Sequence, residues 1–254
     1  MLEHMSSSRR TRTKVLSVLV VALLGLSLLG CGKKSDDGGE PAAQAAESPA
    51  PVPVWPMTGL PMPVEPNHPV VIVKVPNTPE ARPQMGLNKA DLVTEELVEG
   101  GITRLAVVFD AKIPSEVGPV RSMRSSDIGI AKPANAVVVS SGAAPPTIAK
   151  FNRERVKFYD EGDPGMYRTS SRSAPYNLML DLKEFIKETK LRRGHPTAYL
   201  PWGESTDFQG TGPATKIQAQ MSSYRTSDFE FQGGKYINTN SYTNDGENFR
   251  ADNV

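Results

Sequence analysis

Val70-Val71-Ile72-Val73-Lys74-Val75 is the segment that most limits how this 254-residue chain can fold. It is short, β-branched and followed by turn residues, which reads as a buried strand, since a run without polar alternation leaves neither face for solvent. Ile102 to Phe109 (ITRLAVVF) repeats the pattern after a Gly100-Gly101 turn, and Ala136 to Ser140 reads as another core strand. Asp91 to Leu97 and Val156 to Tyr159 are further strand candidates. Between them, Ser126 to Lys132 reads as a short helix, with Ser125 placed to cap it and Pro133 after it. Pro145 to Phe151 suits a helix with proline in its first turn. Leu178, Leu182, Phe185 and Ile186 fall at i, i+4, i+7 and i+8, which predicts an amphipathic helix over residues 178–190. Such alternation points to an α/β or α+β fold over residues 67–200, a mixed sheet with short helices.

The texture changes after Pro201. Gly, Ser, Thr, Asn and aromatic residues dominate, and Lys216 to Gln220 and Phe229 to Phe231 are short alternating pieces. Gly233-Gly234 precedes Lys235-Tyr236-Ile237 as in a hairpin. Residues 205–254 are therefore expected to form a smaller β-rich unit. Its stop at Ala251-Asp252-Asn253-Val254 gives the expectation that this unit is incomplete.

The N-terminal part reads as targeting sequence and spacer. Arg9, Arg10, Arg12 and Lys14 precede the mostly apolar stretch Val15 to Leu29, which ends at Gly30-Cys31. That stretch is short for a bilayer core of about 30 Å but suits a signal peptide over residues 1–30. Met1-Leu2-Glu3-His4 reads as a cloning-vector scar before a native Met5. Leu28-Leu29-Gly30-Cys31 resembles the lipobox of bacterial lipoproteins, which implies lipidation of Cys31, the only cysteine. Eight of the 22 prolines lie between Pro41 and Pro66, so residues 31–66 read as a tether with too few apolar residues for a core. Trp55 to Pro61 is the part of it expected to pack on the domain, since Trp is costly to leave in a spacer. The expected location is extracytoplasmic, with the membrane engaged through Cys31.

Charge and composition exclude several classes. The net charge of +1 falls to −2 without residues 1–30, so nucleic acid is not an expected partner. One cysteine rules out an internal disulfide framework and any Cys-cluster zinc site. His68 and His195 each adjoin proline and read as turn or surface histidines, so no metal is expected. No GxSxG elbow, phosphate-binding glycine loop or HExxH helix occurs, and no cofactor is expected.

Several motifs occur in one order. Thr58-Gly59-Leu60-Pro61 is followed by Ala81-Arg82-Pro83-Gln84 and by Lys89-Ala90-Asp91-Leu92-Val93 with Glu95. Then come Val98-Glu99-Gly100-Gly101-Ile102-Thr103-Arg104, Gly118-Pro119-Val120-Arg121-Ser122-Met123-Arg124 and Ala174-Pro175-Tyr176-Asn177-Leu178. Together they resemble the YerB family of bacterial lipoproteins over roughly residues 57–254, whose first domain is one of unknown function. The resemblance implies a fold and a location but no activity.

The arginines in those motifs suggest a site. Arg121, Arg124 and the Ser125/Ser126 backbone N–H groups are placed to converge on an anion with Arg104, because guanidinium forks and helix N-termini both favour oxyanions. Glu95 and Glu99 are candidates to orient the arginines, and Arg172 and Asn177 to complete the pocket from another element. The expectation is an anionic cell-envelope ligand, with no protein partner named by the sequence. An enzyme acting on a phosphate-bearing wall precursor and a protein-interaction scaffold are the alternatives.

Overall fold

The computed structural model describes residues 53–240, except 193, 197, 204, 208, 209 and 211, together with 250 and 251; at 205, 250 and 251 only the backbone is described. The expected signal peptide over 1–30, Cys31 and the tether as far as residue 52 lie outside the described residues, as do Asp252 to Val254.

The β-branched run forms β1 (Val71–Pro76), buried at every position. β2 (Leu92–Leu97) and β3 (Thr103–Phe109) make a hairpin around the Gly100-Gly101 turn. α1 (Asp127–Ala131) leads to β4 (Val137–Val139), and α2 (Pro145–Arg153) leads to β5 (Phe158–Tyr159). These five strands form one sheet in the order β2-β3-β1-β4-β5. β3 is antiparallel to β1 and β2, whereas β4 is parallel to β1 and β5. A parallel pair needs a crossover, which α2 supplies between β4 and β5. β6 (Met166–Arg168) and β7 (Leu178–Leu180) form a separate antiparallel pair, followed by α3 (Leu182–Thr189).

Side-chain alternation divides the core in two. Val71, Val73 and Val75 pack with Leu105, Val107 and Phe109 against Leu178, Leu180, Leu182 and Phe185. Ile72, Ala106, Val108 and Val138 pack on the other face against Ile128 and Ala131 of α1 and Phe151 of α2. Covering both faces explains why β1 lacks polar alternation.

A second sheet follows, with β8 (Lys216–Gln220), β9 (Thr226–Gln232), β10 (Lys235–Asn238) and β11 (Arg250–Ala251) in the order β11-β10-β9-β8. All its pairings are antiparallel, and Gly233-Gly234 turns β9 into β10. A mixed sheet with few short helices and a β-rich C-terminal part make this an α+β fold.

Two local expectations are corrected. Leu178 belongs to β7, and the helix starts only at Leu182 because the Asp181 carboxylate accepts from the Glu184 N–H at 2.9 Å and caps it there. The four-residue stripe therefore joins a strand to a helix through one core. Ser125 does not cap α1; Ser126 holds the cap position without a side-chain cap, and Asp127 Oδ2 accepts from the Arg124 N–H at 2.6 Å. The Trp55–Pro61 turn packs as its tryptophan suggests: Met57 is fully buried, and Trp202 Nε1 donates to the Pro56 carbonyl at 2.7 Å.

Candidate functional site

The segment from Val117 to Arg124 is stitched to β7 by Val117 and Val120, and by Arg121 and Met123 to β1 just past its last pair with β4 and to the residues after β4. The Arg121 N–H donates to the Lys74 carbonyl at 2.8 Å, and the Ser141 and Met123 N–H groups donate to Arg121 and Gly142 carbonyls at 3.0 and 3.1 Å. The loop thus lies at the carboxyl end of two parallel strands, where ligands of open sheets often bind. Backbone hydrogen bonds fix where its arginines start.

Three of the expected arginines lie close enough for the charges of Arg121 and Arg124 to act on Arg104. Arg104, at the start of β3, is buried and donates from Nη1 to the Ser122 carbonyl at 2.7 Å. Burial pushes its pKa down to about 10, and the positive charges of Arg124 and Arg121 add to the effect. Arg124 grips Glu99 in a fork, with Nε 2.8 Å from Oε1 and Nη2 2.7 Å from Oε2, and its Nη1 donates to the Met123 carbonyl at 3.0 Å. Those bonds hold the Glu99 carboxyl down to about 2, although its side chain is 72% exposed. Arg121 lies with its guanidinium carbon 5.5 Å from the centre of the Tyr176 ring. Its Nε is buried and meets no hydrogen-bond acceptor.

The other expected residues are engaged elsewhere. Glu95 accepts from Thr103 Oγ1 at 2.6 Å, Asn77 Nδ2 at 3.0 Å and Arg225 Nε at 2.9 Å, and also from Ser227 Oγ. Burial raises its pKa, but the hydrogen bonds from Ser227, Thr103 and Arg225 outweigh it and hold the carboxyl below its usual range. Arg172 donates to the Ala81 and Pro83 carbonyls, tying down the Ala81-Arg82-Pro83-Gln84 loop. Asn177 Oδ1 accepts from Arg168 Nη1 at 2.5 Å, although its neighbour Tyr176 reaches Arg121. The Ser126 N–H opens a five-residue helix, and the Asp127 carboxylate beside it makes that end a poor seat for an anion.

Behind the arginines lies a charge cluster that the sequence reading missed. Lys74, in the middle of β1, contacts Glu96 Oε1 and lies 2.5 Å from Asp127 Oδ1, all three side chains being buried. Ser126 Oγ donates to Glu96 Oε2 at 2.6 Å. A buried ammonium has to be paired, and here it holds together β1, β2 and α1. Burial pushes the Asp127 pKa up to about 6. Burial acts on Glu96 in the same sense and is the largest single effect, but the Lys74 charge and the hydrogen bonds with Asp127, Lys74 and Ser126 together outweigh it and leave Glu96 below its usual range. Two carboxyls are thereby driven apart beside one ammonium. The lysine inside an otherwise β-branched run was the available signal.

His195 is not a surface histidine. Its side chain is 6% exposed, with Nε2 2.7 Å from Asp110 Oδ1, and its ring packs edge-on against Trp55 and His68. Asp110 follows β3 and is buried, so the chain after α3 returns to cover it. Among the described residues no three His, Cys, Asp or Glu side chains are grouped to hold a metal ion.

Residues 57–195 match the family described as "Protein of unknown function (DUF3048) N-terminal domain". The chain is 32% identical over 144 residues to a Bacillus subtilis (strain 168) protein named "Putative lipoprotein YerB". That match takes in 55% of this chain and 43% of the relative, so the chain spans less than half of that protein's length. The crystal structure of the YerB protein from Bacillus subtilis has the same fold, with a TM-score of 0.64 at 24% identity over 78% of this chain and 71% of that one. With more than half of its length matched, and with the arginine-bearing loop inside the matched region, the chain belongs to this YerB-like family of proteins of unknown function.

Proposed function

We propose that the protein is an extracytoplasmic lipoprotein, anchored through Cys31, that binds an anionic cell-envelope ligand at Arg104, Arg121 and Arg124. The anchor rests on the sequence around Gly30-Cys31 and on the name given to the Bacillus relative. Residues 67–200 would carry the site, and residues 205–254 a second unit.

One observation carries the ligand reading: the charges of Arg121 and Arg124 act on Arg104, Glu99 is taken up in a fork by Arg124, and Arg121 Nε is buried without an acceptor. A buried donor left unpaired costs about 1–3 kcal/mol, which an oxyanion at that position would recover. Burial is the main cause of the lowered Arg104 pKa, and the positive charges of Arg124 and Arg121 add to it. Binding is favoured over catalysis because the nearby Lys74, Glu96 and Asp127 side chains are buried and paired with one another.

Calorimetric titration of the chain with inorganic pyrophosphate tests the reading. Arg121→Lys keeps the charge and loses the fork, and should weaken binding about 10- to 150-fold. No affinity in the wild type, or equal affinity in the variant, would overturn it.

A further inference from the structure

We infer that Tyr224 forms a sugar-stacking subsite beside the arginine cluster, so that the ligand is a phosphorylated saccharide with its phosphate on the arginines and its ring on the tyrosine. This inference rests on the anion reading above. Tyr224 is 84% exposed, the most exposed of the large apolar side chains among the described residues. Leu97 and Ile102, also exposed, flank the same hairpin tip. Its backbone is held in place by hydrogen bonds. Ser222 Oγ accepts from the Tyr224 and Arg225 N–H groups, both at 3.0 Å, and donates to the Gly101 carbonyl at 2.6 Å.

Gly101 makes the approach possible. Its φ is +72°, and a Cβ there would lie 2.7 Å from Tyr224 Cδ2, so a side chain would displace the ring. The same short turn, Glu99–Gly101, carries the carboxylate that clamps Arg124. Ring and guanidinium are therefore anchored two residues apart on one turn. The exposed Glu99 carboxylate keeps lone pairs for sugar hydroxyls. A rigid tyrosine gives a large amphipathic contact at low entropic cost, which suits the C–H face of a pyranose. The charge next to it selects a sugar that bears phosphate over a neutral one.

Titration of the chain with N-acetylglucosamine 1-phosphate and with inorganic phosphate at one ionic strength tests the subsite. In the wild type the sugar phosphate should bind about 3- to 10-fold more tightly than phosphate. Tyr224→Ala should bring that ratio to about one, Tyr224→Phe should keep it, and Arg121→Lys should weaken both ligands. A wild-type ratio near one, or a ratio that survives Tyr224→Ala, would overturn the subsite while leaving the anion site in place. If neither ligand binds the wild type, the anion reading fails first and the subsite with it.

Discussion

In the five-stranded sheet every residue of β1 and β3 is buried, with apolar layers on both faces. In the four-stranded sheet β8 has four exposed residues out of five, and Phe229 is the one buried apolar side chain among the described residues. The two sheets are joined by polar contacts: Arg225 and Ser227 to Glu95, and Ser222 to the Gly101 carbonyl. Adjacent residues of β2 serve the two regions. Glu96 turns inward to Lys74, and Glu95 turns outward to Arg225. The difference teaches where the candidate site sits, at the corner where apolar packing gives way to paired charge. There Arg104 and Arg124 are tied to the Ser122 carbonyl and to Glu99, while Arg121 lies against Tyr176 with its Nε unpaired.

The comparison breaks most visibly at Lys74. Lys74→Met leaves Glu96 and Asp127 buried without their cation, and should cost about 3–5 kcal/mol in chemical denaturation at neutral pH. A loss below about 1 kcal/mol would mean that the cluster does not hold the first sheet together. The outward link should matter less. Arg225→Ala removes one partly buried charged contact, an expected loss of about 1–3 kcal/mol, and should speed hydrogen exchange in β8 and β9 ahead of β1 and β3. Unchanged exchange in β9 would show that Glu95 does not secure the second sheet.

The smallest effect concerns pH. A carboxyl whose folded pKa is raised, as at Asp127, contributes stability that is full below its unfolded value near 4 and is lost as pH rises through about 6. Asp127→Asn cannot ionise, so its stability relative to wild type should rise between pH 4 and pH 7. A difference that stays flat over that range, measured by denaturation at each pH, would remove Asp127 as the titrating member of the cluster.

Much of the first sheet was legible because β-branched runs such as Val70–Val75 and Ile102–Phe109 state their burial locally. β6 was not, since Met166-Tyr167-Arg168 is largely exposed and is a strand only through its pairing with Leu178–Leu180. Leu178 misled because a strand and a helix can present apolar residues to one core at helical spacing. At the site, Arg104, Arg121, Arg124 and Glu99 could be proposed together from their motifs. Glu95 could not be placed, since its partner lies 130 residues away. Nor could His195, whose burial depends on Asp110 and on the returning Trp55 segment.

The central claim is that the arginine corner holds an anion. Melting temperatures of wild type, Arg121→Lys and Arg124→Lys, each with and without inorganic pyrophosphate, test it most directly. At a hundredfold excess over Kd the ligand should raise the wild-type midpoint by roughly 5–10 °C. The two variants should melt close to wild type alone and gain little from pyrophosphate. An unmoved wild type, variants raised as far as the wild type, or variants already unstable without ligand would contradict the claim and leave the arginines as ties within the fold.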